Sequence, residues 1–347
     1  MQTLETLARD HYSRRLKLSE RVTTHTLRLW QTVNFNELDA SWDGLSPSFN
    51  DLVSNGAVAS ATLAQPFVER AASVQQFAGQ SGVTDPLLYG EVAPDGRALR
   101  PLLYGAVTTT KTATGAGYSL ERAAASGAAF LAAAVKTVIQ DMGRQADMVA
   151  SNARGFKHYT RAISPGACSR CAVLAGIYSS AVAFPRHPNC KCVAVPVPDD
   201  PNKRGSVGYE SVDDYFDSLS RAEQNRIFTN AGAQAIRDGA DPNQVVNARR
   251  GAAGIQYGSR DNQPQPPGRR LQRSMIGVRA DGTPLMVYTT GEGSTRRSSF
   301  RRQEGRLLDE SRRTTRYRLM PEQIYVMAGN DPERARELLI RYGYIFQ

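Results

Sequence analysis

The sequence predicts a mainly α-helical protein with small β elements, an α+β chain in three parts. These are a helical N-terminal part, a compact cysteine/histidine-centred module and an arginine-rich C-terminal extension. Three observations predict this: apolar residues recur at helical spacing over the first 30 residues and again from Ser119 to Gly155, four cysteines all fall between Cys168 and Cys192, and residues 269–318 hold 13 arginines against five acids.

Along the chain, residues 1–30 read as a helix, with Leu4, Leu7, Ala8, His11 and Tyr12 on one face. A second helix is expected from about Ser46 to Gln80, with Ser46 as N-cap, Pro47 as first helical residue and a break near Pro66. The pentapeptide PLLYG occurs at 86–90 and again at 101–105 around a Pro94-Asp95-Gly96 turn signal. The two copies could form paired loop-and-strand elements or small apolar anchors. Ser119 to Gly155 is the clearest helix, with Ser119 as N-cap and Leu120, Ala124, Gly127, Leu131, Val135, Val138, Met142 and Val149 on one approximate face. Pro196, Pro198 and Pro201 suggest a short extended exit from the cysteine segment. Residues 208–256 look helical, punctuated by Gly239 and Pro242. Gln256 to Arg270 reads as a loop, Pro284–Thr289 as a strand, and Met320–Gln347 as a helical tail with Pro321 and Pro332 at helix starts. The expected regions are thus 1–118, 119–198, 199–256 and 257–347.

With 347 residues and 41% hydrophobic content the chain can bury a core and exceed one domain. Its N-terminus is charged from Glu5 onward and shows no apolar leader segment. The longest apolar run, Ala123 to Val135, is too short to span a bilayer, so no membrane partner is expected. The net charge of +10 comes from 37 arginines and 6 lysines against 33 acids. Within 269–318 the net is +8, from the 13 arginines and five acids. Such a block favours polyanions, with a solvated surface segment as the plain alternative. Its aromatic residues, Tyr288, Phe300 and Tyr317, are too widely spaced to form a stacking platform, so phosphate contacts with duplex DNA without base readout are expected, with Arg296, Arg297, Arg301 and Arg302 as candidates.

Four cysteines inside 25 residues argue for one local site rather than a distributed disulfide framework. The pattern is Cys168-x2-Cys171, fifteen residues, then His187-Pro-Asn-Cys190-Lys-Cys192. Structural zinc takes four Cys or His ligands from two short turns. Cys168 and Cys171 supply one pair, and His187, Cys190 and Cys192 offer three candidates for the other two places. A disulfide is the main rival. A catalytic redox pair is a third reading, disfavoured because the motif lies between a helix and a proline-rich exit with no strand expected before it.

The run RAISPGACSRCAVLAG followed by FPRHPNCKCVAVPV resembles the Mu F-like family of phage head-morphogenesis, or minor capsid, proteins. Cys168, Cys171, His187, Pro188, Cys190 and Cys192 match its motif position by position, over about residues 120–198. The later stretches AEQNRIFTNAGAQAIRDGADPNQVVNARRG, TTGEGSTRR and RLMPEQIY look like actinobacteriophage members. The resemblance implies a protein in few copies near the portal, inside the virion and assembled in the host cytoplasm. Its implied partners are the portal, the capsid or scaffold protein and the packaged double-stranded DNA. Some members of that group carry the label capsid maturation protease, which makes proteolysis the alternative function.

The residues favour a structural role. The four histidines are His11, His25, His158 and His187, so no histidine base lies beyond 187. His158 could pair with a serine such as Ser164, though a surface or helix-end histidine is the simpler reading. No Gly-x-Ser-x-Gly, His-Glu-x-x-His or phosphate-loop pattern is present, and Gly291-Glu292-Gly293-Ser294 reads as a loop. No catalytic residue is therefore assigned.

Overall fold

The computed structural model describes residues 3–163, 167–182, 184, 192–200, 202, 204, 207, 209, 211–249, 319–329 and 331–346. Of 271–278, 284–290, 302–303, 306–307 and 318 it describes the backbone alone. The chain divides into two compact units, one of residues 1–167 and 174–211, the other of 168–173 and 212–347. Mainly α with small β elements, as the sequence predicts, is what the structure shows.

The first unit is built on five helices, α1 (Leu4–Trp30), α2 (Leu38–Thr62), α3 (Ala64–Val74), α4 (Leu99–Gly115) and α5 (Leu120–Ala153). Thr3 caps α1 reciprocally: its hydroxyl accepts from Thr6 N at 3.2 Å, and Thr6 Oγ1 accepts from Thr3 N at 3.2 Å. That satisfies two of the amides a helix start leaves bare. Ser119 caps α5 as expected, accepting from Arg122 N. On the expected α5 face Gly127, Leu131, Val135, Val138 and Met142 are buried, whereas Leu120 and Val149 are exposed. Length and composition of α5 would suit a bilayer. Here it is the central helix, against which α1, α2, α3 and α4 all pack.

The second helix departs from expectation. It begins at Leu38, so Pro47 sits in its interior and Ser46 is no N-cap. Proline removes the amide that would serve the carbonyl four residues back, Asp43 O. The buried Ser46 hydroxyl donates to that carbonyl instead, at 3.3 Å. The break near Pro66 is real and falls at Leu63, between α2 and α3. The two PLLYG copies do not form a matched pair. The first is a 3-10 turn, Pro86–Tyr89, with Leu87 and Leu88 exposed, and the second lies inside α4, where Leu103 is fully buried.

Two apolar clusters fill the unit. One gathers Trp30, Trp42, Phe49, Leu103, Leu131 and Val135, and the other Leu7, Phe67, Val68, Ala150, Phe156 and Val195. Residues on both sides of position 118 share the first of these. The second cluster joins the helices to a three-stranded antiparallel sheet of order β2-β1-β3, with β1 (His158–Ala162), β2 (Ile177–Ser179) and β3 (Val193–Val197). Pro196 thus lies in a strand rather than in a linker. The position is tolerated because β3 is a sheet edge, and Pro196 O accepts from Gln75 Nε2 at 2.9 Å.

The second unit contains α6 (Ser169–Ala172), α7 (Val212–Asp217), α8 (Arg221–Phe228), α9 (Asn230–Arg237) and α10 (Pro242–Ala248). It continues through β4 (Leu271–Val278), β5 (Pro284–Thr290), β6 (Arg302–Gln303), β7 (Arg306–Leu307) and β8 (Arg318–Leu319) to α11 (Pro321–Ala328) and α12 (Pro332–Arg341). The expected strand is β5, and it pairs with β4 and β8, which the periodicity did not suggest. Pro242, Pro321 and Pro332 each occupy a first helical turn. Between α8 and α9, Thr229 has φ +69 and ψ 162, a conformation otherwise kept for glycine. Its hydroxyl accepts from Arg249 Nη2 at 2.6 Å and from Gly232 N, and it donates to Glu322 Oε1, tying α9, α10 and α11 to one point.

Candidate functional site

The cysteine segment starts from β1, a strand the sequence did not reveal, so the Cys-x-x-Cys motif does follow a strand. The strand's partners are antiparallel, and the helix after the motif has only four residues, Ser169–Ala172. Cys168 caps that helix, and its carbonyl accepts from Cys171 N at 2.9 Å. The turn sets the two Sγ atoms 4.0 Å apart, with Cys171 buried and Cys168 exposed. Two thiolates on one tetrahedral zinc, with Zn–S of about 2.3 Å, would lie roughly 3.8 Å apart. The pair therefore suits one edge of a metal tetrahedron and is far from the roughly 2 Å of a disulfide.

Cys192 immediately precedes β3 and is buried. His187, Pro188 and Cys190 lie outside the described residues, as do Ser164, the 291–294 loop, Arg296, Arg297 and Arg301. Arg302 is described by its backbone alone, in β6. Among the described residues no group of three or more His, Cys, Asp or Glu side chains is placed to hold a metal ion.

Below Cys192 the first unit carries a charged floor that the sequence reading missed. Arg144 Nε donates to Cys192 O at 3.0 Å, and its Nη1 pairs with Asp141 one turn earlier. Arg161 on β1 is fully buried, and both guanidinium groups stand over the Phe184 ring, at 5.3 Å for Arg161 and 5.7 Å for Arg144. Tyr159 stacks on Phe184 and on Tyr178, and burial pushes its hydroxyl up to about 12.

A second buried polar cluster joins α1 to α5. Arg15 donates to both oxygens of Asp147, at 2.7 and 2.9 Å, and His11 Nε2 lies 2.9 Å from Asp147 Oδ1. The His11 ring stacks on Phe67, with centroids 3.9 Å apart. Burial alone would raise the Asp147 carboxyl, but Arg15 and His11 hold it at about 2. Burial lowers His11, opposed by Asp147 and reinforced by Arg15. The fit is close: a Cβ on Gly143 would meet Arg15 Nε and Ser60 Oγ. Asp141, Arg144 and Asp147 recur at three-residue spacing on an otherwise apolar helix face, the one signal that could have disclosed both clusters.

His158, on β1, places Nδ1 3.0 Å from Asp199 Oδ1, with Lys157 Nζ 3.6 Å from the other oxygen. The His158 hydrogen bond, aided by Lys157, holds Asp199 below the ordinary carboxylate range. The arrangement is an oriented, partly exposed imidazole at the start of the sheet's central strand.

A family model described as VG15 protein matches residues 2–222. The chain belongs to the VG15 family. VG15 is phage-associated, and its match takes in the whole cysteine segment, the arginine floor and the His11–Arg15–Asp147 cluster. The VG15 match ends before α9, α10 and the arginine-rich segment. No curated protein and no solved structure matches the chain.

Proposed function

We propose that this VG15 protein is a minor capsid, or head-morphogenesis, protein of a tailed phage, of the Mu F-like kind. It sits with the portal inside the head and assists head assembly or the packaging and delivery of DNA. Its partners are the portal protein, the capsid or scaffold protein and packaged double-stranded DNA. The observation that carries this reading is the phage-family match across residues 2–222, which spans the whole Cys168–Cys192 segment. Zinc is its structural cofactor, held by Cys168, Cys171 and two of His187, Cys190 and Cys192. The 4.0 Å thiol pair supports that assignment. The test is quantitative mass spectrometry of purified virions beside a deletion of the gene. A fixed low copy number, with defective or empty heads on deletion, supports the role. Absence from virions, with heads assembling and filling normally, refutes it.

The alternative, a capsid maturation protease, draws on His158 and Asp199, which have the geometry of a base and its orienting carboxylate. Co-expression with the capsid and scaffold proteins separates the two readings. Intact partners favour the structural role. Processing that is lost in His158→Ala, with the fold retained, establishes the protease.

A further inference from the structure

The exposed face of α1 carries basic side chains in a single stripe. Arg14, Lys17, Arg21, His25 and Arg28 are all exposed and follow one another at intervals of three, four, four and three residues. At 100° per residue they share about 80° of arc and run about 21 Å along the helix. The same helix supplies the core with Leu4, Leu7, Val22 and Trp30. Arg70 on α3 lines with Arg14 and Asp10 the cleft between the two helices.

Two features separate this stripe from an ordinary solvated helix face. The first is its lack of counter-charge. The ion pairs of α1 are Arg9–Glu5 and those of Asp147 with Arg15 and His11, and Arg14, Lys17, Arg21 and Arg28 have none among the described residues. Asp10 stands one turn before the stripe and Glu20 about 60° off its edge, so the run from Arg14 to Arg28 keeps one sign. The second is its lack of apolar surface: none of the exposed large hydrophobic residues lies on α1. A protein partner needs an apolar patch to form the centre of an interface, whereas a phosphate backbone needs only cations and polar groups.

We infer that this face of α1 binds the phosphate backbone of duplex DNA, without base readout. The choice of duplex DNA as the polyanion rests on the head-protein reading above. The stripe itself rests on charge and exposure, and it is separate from the arginines of 269–318. Duplex DNA carries one charge per about 1.7 Å of axis, so a 21 Å line of cations meets more phosphates than it can neutralise, and every cation can release a counterion.

The experiment is titration of the full-length protein with a duplex oligonucleotide at several salt concentrations. It compares wild type with the quadruple variant Arg14→Gln, Lys17→Gln, Arg21→Gln, Arg28→Gln. Glutamine keeps helix propensity at these exposed positions, and the melting curve checks the fold. Removing four phosphate contacts should flatten the slope of log K against log salt by about 3–4, with binding more than tenfold weaker at low salt. Photocrosslinking of the wild-type protein to the duplex reads the same surface without substitution, and cross-links within residues 14–28 support it. Unchanged slopes, absence of binding, or cross-links confined to 269–318 overturn it. So does displacement of the DNA by polyglutamate at equal charge, which would make an acidic protein the partner. None of these failures touches the head role, which virion content tests separately.

Discussion

Arg15 grips Asp147 with both terminal nitrogens, at 2.7 and 2.9 Å, across 132 residues of sequence, and both side chains are almost wholly buried. The pair pins the middle of α1 to α5 where the two apolar clusters meet. Removing one partner strands the other charge in the core. Asp147→Asn should therefore cost about 3–5 kcal/mol, a large share of the roughly 5–15 kcal/mol of a typical domain. Denaturant unfolding measures it. A loss under about 1 kcal/mol would mean that water reaches the site when the pair is broken.

The same cluster makes stability depend on pH with a defined sign. The folded Asp147 carboxyl stands at about 2, below its ordinary 3.8. Its contribution is present above the unfolded value and is lost as pH falls from about 4 towards 2, amounting to about 2 kcal/mol. Folded His11 is also lowered, from 6.5, so the unfolded chain takes up that proton first and stability starts to fall below about pH 6.5. Both groups drive unfolding in acid. His11→Gln should remove the decline that sets in below about pH 6.5, while Arg15 still keeps a decline below about 4 through Asp147. Identical profiles for the two proteins would assign the upper decline to another group.

Glycine at close helix contacts predicts opposite responses to one substitution. On Gly127 a Cβ would run into Thr110 Oγ1 and meet the Trp30 ring at 2.7 Å, and on Gly143 it would meet Arg15 and Ser60. Gly127→Ala and Gly143→Ala should each destabilise by about 1–3 kcal/mol, despite alanine's better helix propensity. Gly44 in α2 faces open space, so Gly44→Ala should stabilise by about 0.5–1 kcal/mol. Thermal melts of the three variants suffice, and a common sign for all three would contradict the packing.

Zinc should co-purify at about one equivalent per chain when chelators are left out. Cys171→Ser should release it and loosen residues 160–198, because metal affinity there is folding free energy. Hydrogen exchange over that segment, with and without chelator, is the measurement. A metal-free chain with a fully protected segment would exclude the centre.

Much of the helical frame was legible because its signals are local. The Ser119 cap, the prolines at 242, 321 and 332 and the alternation of apolar faces each act within a turn or two of chain. Pro47 misled because a proline near a serine reads as a helix start, whereas the Ser46 hydroxyl repairs the hydrogen bond that the proline breaks. Strands β1 and β2 escaped notice because five and three residues are too few to show a period.

Residue types and spacings by themselves determined the helical class, the cysteine pairs at 168–192 and the concentration of arginine beyond 269. Only the tertiary structure decided which charges are buried. Arg15, Arg144 and Arg161 look in sequence like any of the other 34 arginines, and Arg14 is exposed while its neighbour lies in the core. The reason is physical: these guanidinium groups enter the core where distant chain supplies partners, even though Arg144 also pairs with Asp141 one turn away. Asp147 and the Phe184 ring come from far along the sequence, and the only local trace of that meeting is the three-residue spacing of Asp141, Arg144 and Asp147.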